Sequence, residues 1–249
     1  LEFRRVLFRS KDTNCDIIDI NMGCPVNKVV KTGAGSAMMR HEEESVEIVR
    51  QIIEKVDKPV SVKMRLGWDL QHMNYLSLAE KLEKVGVSAI ALHARTRSQM
   101  YEGHADYSHI KILKQHLHIP VFGNGDVDSL DDFLRMKKET GCDGVMIARG
   151  VVGNPFLIKE IDNYLKGEEK PQVEIIDRFA YCLKHCEKLI ALKGEKMALA
   201  QMRSLAPHYI SGLYNATTYK EKMSHMATYE DLKTILNKYE SDLKEKEII

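Results

Sequence analysis

The sequence has no apolar run approaching the ~18 residues that a membrane-spanning helix requires, which excludes a helical integral membrane protein. It has no excess of charge of either sign: 37 Lys and Arg stand against 36 Asp and Glu, a formal net charge of +1. That balance excludes a polycationic nucleic-acid coat and equally an acidic, disordered solvating chain. It has no Cys-x-x-Cys pair. The five cysteines, Cys15, Cys24, Cys142, Cys182 and Cys186, follow neither a disulfide nor a metal pattern, which points to a reducing, cytoplasmic compartment and no metal. What is present is 249 residues with 44% hydrophobic and 29% charged content, enough to bury a core. By length this is one α/β barrel, or a smaller domain with an accessory one.

Residues 1–10 (LEFRRVLFRS) have no initiator Met and no clean periodicity, and read as a non-native segment outside the fold. From Cys15 onward, short Ile/Val-rich runs at 16–20, 60–64, 88–93, 120–122 and 144–148 alternate with helical patterns at 43–56, 75–85, 107–116, 130–140 and 155–165. Continuous apolar strands separated by helices predict a parallel sheet built from right-handed βα units. The polar and glycine-rich residues cluster just after the strands, where a (β/α)8 barrel carries its chemistry. Five units are visible against the eight of a TIM barrel, so the count predicts a chain lacking roughly three N-terminal units. Residues 11–170 therefore read as a partial TIM barrel. After a linker at 167–171 the strands stop, and 171–249 reads as an all-helical domain, with Thr228 a cap for its last helix.

Several residues could carry chemistry. Asn21-Met22-Gly23-Cys24-Pro25 follows the first strand, and Gly23 and Pro25 would hold Cys24 on a fixed turn, although a free cysteine is more often a small packing residue. Lys63 lies near the end of an apolar strand, where a cation needs an anionic partner such as a phosphate, an enolate or an electron-rich flavin ring. His93 with Arg95 and Arg97 just beyond it points to an anionic or nucleic-acid ligand, and Arg65 follows Lys63 in the same manner. Gly123-Asn124-Gly125-Asp126 and Ala148-Arg149-Gly150 are glycine-bearing turns whose backbone N–H groups suit a phosphate. In the helical part, Lys184, His185, Lys188, Lys193, Lys196 and Arg203 form a basic cluster that is either a solvated face or a phosphate-contacting patch. Cys182 and Cys186, and the methionines Met197, Met202, Met223 and Met226, read as core packing.

The stretches DIIDINMGCPVNKV (16–29), VSVKMRLGW (60–68), ALHARTRSQMYEG (91–103), PVFGNGD (120–126) and VMIARGVVGNPF (145–156) resemble, in order and spacing, the bacterial-type tRNA-dihydrouridine synthases. The resemblance implies a flavoenzyme that reduces uridine in tRNA to 5,6-dihydrouridine, with FMN across the mouth of the barrel and NADPH or NADH as electron donor. It implies that Cys24 is the general acid, delivering a proton to C5 while FMN N5 delivers hydride to C6 of a flipped uracil. Lys63 and His93 would lie against the isoalloxazine; Asn124, Gly125 and Asp126 would surround the ribityl-phosphate arm; Ala148 and Arg149 would complete the phosphate site. Asn21, Arg65, Arg95 and Arg97 would help to hold flavin and uracil. It further implies a helical tRNA-binding domain over 171–249 and a full-length protein that is monomeric.

Two departures from the family pattern stand out. The family's first barrel strand with its Pro-Met-Ala motif and its later glutamine-bearing strand have no counterpart here, and Arg203-Ser204-Leu205 replaces a more basic triplet. Ala148 stands where the family commonly has glycine, which leaves the backbone donor intact. Lacking the early barrel strands, the chain alone is expected to bind FMN poorly and to be inactive. Two other readings remain open at this point: a flavin-dependent reductase of a free pyrimidine or small enone, and a non-catalytic RNA-binding module.

Overall fold

The computed structural model describes residues 14–249; the segment 1–10 lies outside the described residues. The chain divides into two compact units after Ala148.

The first unit is a five-stranded, wholly parallel sheet in the order β1-β2-β3-β4-β5, with β1 Ile18–Met22, β2 Val60–Met64, β3 Ala89–His93, β4 Val121–Asn124 and β5 Gly144–Met146. Helices α1 Asn27–Val30, α2 Glu42–Ile53, α3 Tyr75–Lys84, α4 Tyr107–His116 and α5 Leu130–Thr140 lie between the strands. This is the α/β architecture of a partial TIM barrel. The helix ends follow local chemistry: the Ser129 hydroxyl accepts from Asp132 N at 3.1 Å to start α5, and Gly141 ends it in the left-handed conformation at φ 68°. Likewise the Asp106 carboxylate caps α4 by accepting from Ser108 N at 3.0 Å.

Strand boundaries moved from expectation where pairing decides them. β1 begins two residues late and takes in Asn21, because its register sets Ile18 opposite Val60 and Asn21 opposite Lys63. β4 runs on through Asn124, which pairs with His93 on one side and Met146 on the other. The short α1 and the 3-10 turn Gly35–Arg40 were not anticipated; both follow the Cys24 loop directly.

The two faces of the sheet differ. Met22, Met64, Leu92 and Gly123 share one in-register row. Met22, Met64 and Leu92 are fully buried, and a Cβ at Gly123 would come within 2.6 Å of Met136 Sδ on α5, so this face lies against the helices. The opposite face carries Asn21, Lys63, Ala91, His93, Phe122, Asn124 and Met146, with Phe122 37% and Met146 36% exposed.

The second unit opens with a 3-10 turn, Arg149–Val151, and contains α6 Phe156–Lys166, α7 Ile175–Lys193, α8 Glu195–Tyr209, α9 Ala216–His225 and α10 Tyr229–Glu245. Helix α6 packs with this unit: the Phe156 ring meets the edge of Tyr181 at 4.6 Å, and a Cβ at Gly153 would strike the backbone of His208 at 2.4 Å. Thr228 caps α10 in a reciprocal box with Asp231. Cys182, Cys186, Met202, Met223 and Met226 are buried in its core, where Tyr219 and Tyr239 stack with ring centroids 3.9 Å apart. Met197, by contrast, is 56% exposed. No helix among the described residues is long and apolar enough to cross a membrane.

Candidate active site

The candidate residues of the first unit collect at the carboxyl ends of β1 to β4. Leaving β1, the Asn21 Oδ1 accepts from the backbone N–H of both Gly23 and Cys24 at 3.0 Å, so one side-chain oxygen shapes the turn that presents the cysteine. The turn is closed from behind: Ser36 N donates to Cys24 O at 3.0 Å, and a Cβ on Gly35 would come within 2.9 Å of Cys24 Cβ. Gly35 also sits at φ 61°, so glycine is required there both for conformation and for space. Cys24 itself is half-buried.

Arg65 is 2% exposed and acts as a clamp between loops. Its Nε donates to Gly23 O at 3.0 Å, and its Nη1 donates to Thr96 O and Met100 O, both at 2.8 Å. The loop carrying Cys24 is thereby tied to the loop after β3. Arg95, 1% exposed, does the same for the next pair of loops. It makes a bidentate ion pair with Asp126 at 2.8 and 2.7 Å and donates to Glu102 O and Gly103 O. Asp126 Oδ2 also accepts from Ala105 N at 2.8 Å, so both oxygens of that carboxylate are engaged within the protein. The Arg65 and Arg95 side chains face protein partners, whereas Asp126, 24% exposed, also lines a cleft with His104, Asp106, Tyr107 and Arg135.

Lys63 and His93 are placed differently. They lie on the face away from the helices, on neighbouring strands, with Lys63 opposite Asn21 and His93 opposite Asn124. Burial and the nearby Arg65 guanidinium hold the Lys63 ammonium below the usual lysine range, opposed only weakly by Asp19. Burial, with Arg65, Lys63 and Arg95 close by, pushes His93 down to about 3, against a smaller opposing pull from Asp126. His93 is therefore neutral at physiological pH. Its Nε2 stands 3.5 Å from Arg95 Nη1.

Asn124 Nδ2 donates to Met146 O at 2.7 Å, holding β4 to β5. Beyond it Gly125 has φ 132°, and a Cβ there would lie 2.6 Å from Ala105 Cβ and 3.3 Å from His93 Cδ2. Tyr107 OH donates to Gly125 O at 2.9 Å and fixes this turn.

The family model for dihydrouridine synthase matches residues 8–246. The chain belongs to the dihydrouridine synthase family. Curated relatives agree with the model. tRNA-dihydrouridine synthase B of Pseudomonas aeruginosa is 36% identical over 219 residues, covering 88% of this chain and 66% of that protein. The probable tRNA-dihydrouridine synthase of Rickettsia bellii is 38% identical over 218 residues, covering 87% of this chain and 67% of that one. The probable tRNA-dihydrouridine synthase 1 of Synechocystis is 37% identical, covering 88% and 62% respectively. The chain thus spans about two thirds of the length of these relatives.

In this family member the remaining expected residues fall outside the tight cluster. Arg97 leaves the β3 loop to bond Asn27 Oδ1 on α1, and its guanidinium lies 4.7 Å from the centre of the Trp68 ring. Ala148 closes the first unit and Arg149 opens the second. Of the basic cluster in the helical unit, His185 is occupied with Tyr209 OH at 3.1 Å and Arg203 Nε donates to Met226 O at 2.8 Å. Lys184, Lys188 and Lys196 are exposed. Sequence reasoning missed Trp68 and Arg40. The single tryptophan of the chain, standing four residues past the end of β2, was the available signal.

Proposed function

We propose that the chain forms the catalytic body of a flavin-dependent reductase that converts uridine in tRNA to 5,6-dihydrouridine. The observation that carries the reading is a desolvated lysine and a neutral histidine on one face of neighbouring strands, near the carboxyl ends from which the Cys24 turn also leaves. The donor set fits FMN. The Lys63 ammonium has no carboxylate in salt-bridge distance among the described residues, and a ring that gains negative charge on reduction would relieve its desolvation. The neutral His93 ring adds no second positive charge beside Lys63. Gly125 lets the turn beside Asn124 pack closely on Ala105 and His93, and the ribityl-phosphate arm would run along the backbone of this turn. For Ala148 and Arg149 the support for a phosphate role is the motif VMIARGVVGNPF.

When bound, the flavin supplies the hydride for C6 of the uracil and is itself reduced by NADPH or NADH. The chain's own contribution is positional and protic. Cys24 holds the proton destined for C5, and Asn21 fixes the backbone turn that carries the thiol. Arg65, Arg95 and Asp126 act as positioning residues, since their polar atoms are bonded to neighbouring loops and to each other. The names of the relatives favour tRNA over a free pyrimidine as substrate.

The test is expression of the complete coding sequence in a strain lacking its own dihydrouridine synthases, with tRNA dihydrouridine measured by mass spectrometry. Cys24→Ala is expected to lower the rate by ~10²–10⁴-fold, the usual worth of a positioned general acid. Wild-type levels of dihydrouridine with Cys24→Ala would remove the thiol from the mechanism.

A further inference from the structure

The loop after β2 carries an arrangement that the reading above does not use. Trp68 receives two guanidiniums, Arg40 from the end of the 3-10 turn and Arg97 from the β3 loop, each 4.7 Å from its ring centre. Neither arginine has a carboxylate within salt-bridge distance among the described residues. The nearby acids are committed elsewhere: Glu42 and Glu43 pair with Lys81, and the Asp69 carboxylate accepts from His72 Nδ1 at 2.7 Å and from the backbone N–H of Gln71 and His72. Among the described residues, Arg97 Nε is buried without a hydrogen-bond partner. Arg40 and Trp68 line a cleft of about 460 Å³ together with Met39, Asp69, His72 and Asn74.

The platform is rigid. Arg97 N donates to Gly67 O and Ser98 N to Trp68 O, both at 2.9 Å, while Trp68 N donates to His72 O at 3.1 Å. Gly67 at φ 150° lies so near the His72 carbonyl that any side chain would collide with it. Arg97 also reaches Asn27, three residues from Cys24, so the platform and the cysteine loop are directly joined. Two cations held beside one aromatic ring repel each other, and an anion between or across them offsets that repulsion.

We propose that Arg40, Trp68 and Arg97 form a binding site for the phosphodiester backbone of the RNA, adjoining the base that is reduced. Guanidinium forks match phosphate oxygens bidentately, and phosphate contacts read backbone geometry rather than base identity. This rests on the RNA-reductase reading, and the test separates the two.

A fluorescently labelled, unmodified tRNA transcript is titrated with the chain over a series of KCl concentrations. Arg40 is exposed, and among the described residues its side chain makes no hydrogen bond or ion pair, so Arg40→Gln leaves the fold intact, as far-UV circular dichroism will verify. The expected result is an affinity loss of about 3–10-fold, with the slope of log affinity against log salt reduced by roughly 0.7–1, the signature of one lost phosphate contact. Trp68→Leu is expected to lose more, because both guanidiniums lose their support. Arg40→Lys restores most of the slope. Unchanged affinity and slope in Arg40→Gln, or an equal loss in the control Lys138→Gln, would overturn the site while leaving the RNA reading in place. Absence of salt-dependent transcript binding by the wild-type chain would overturn both.

Discussion

The two faces of the five-stranded sheet teach different lessons. On the helix side, Val60, Val62, Met64, Ile90, Leu92 and Val121 are between 0% and 1% exposed, and every position is filled by an apolar side chain or pressed against one. On the other side, alternate residues of the same strands are Asn21, Lys63, His93 and Asn124, interrupted by a half-exposed Phe122 and Met146. One face stabilises; the other holds groups whose ordinary ionisation is disfavoured. A sheet can carry such groups only because its opposite face contributes more than they cost.

That contrast can be broken by substitutions. The largest effect belongs to the helix side: Leu92→Ala is expected to cost ~2–5 kcal/mol by opening a cavity at a fully buried position, measured by urea denaturation. A loss well below that range would mean the helix layer is loosely packed.

Next comes acid sensitivity from the other face. His93 titrates near 3 when folded and near 6.5 when unfolded, so below about pH 6.5 the unfolded state binds the extra proton. Its contribution is fully present above that pH and is lost as pH falls toward 3. Lowering pH from 7.5 to 5 should therefore remove about 1–2 kcal/mol through this residue, and His93→Gln should flatten that part of the profile. Equal acid slopes in both proteins would place the sensitivity elsewhere.

The smallest change in stability, and the sharpest for function, is expected at Lys63. Lys63→Met removes a desolvated cation, so the urea midpoint should hold or rise, by less than ~1 kcal/mol. FMN affinity, followed by quenching of flavin fluorescence, should fall by at least about tenfold, the equivalent of one charge-assisted contact. A destabilised Lys63→Met with unaltered flavin binding would reverse the assignment of the two faces.

Much of this was legible in the residues. Helices α4 and α5 fall where the periodicity placed them, at 107–116 and 130–140, because apolar spacing and the Asp106 and Ser129 caps are local signals. Cys24, Lys63 and His93 stood out because polar residues at the ends of apolar strands violate the pattern around them. The arginines were harder. Arg65, Arg95 and Arg97 look alike in sequence, yet the first two are buried clamps and the third lies against Trp68. The carbonyls that meet Arg65 and the carboxylate that meets Arg95 lie more than 30 residues away, and no local pattern encodes that. Arg40 gave no signal, since it enters through an unanticipated turn.

The residues in order settled the alternation of strand and helix, the parallel sheet, and the family motifs, since each depends on near-neighbour periodicity and composition. Only the folded structure decided which side of the sheet carries Lys63 and His93, which arginines are consumed by their own loops, and that Asp126 answers Arg95. The reason is that electrostatic partners and solvent exposure are properties of three-dimensional proximity, set by strand register and by loops that meet only after the chain has folded.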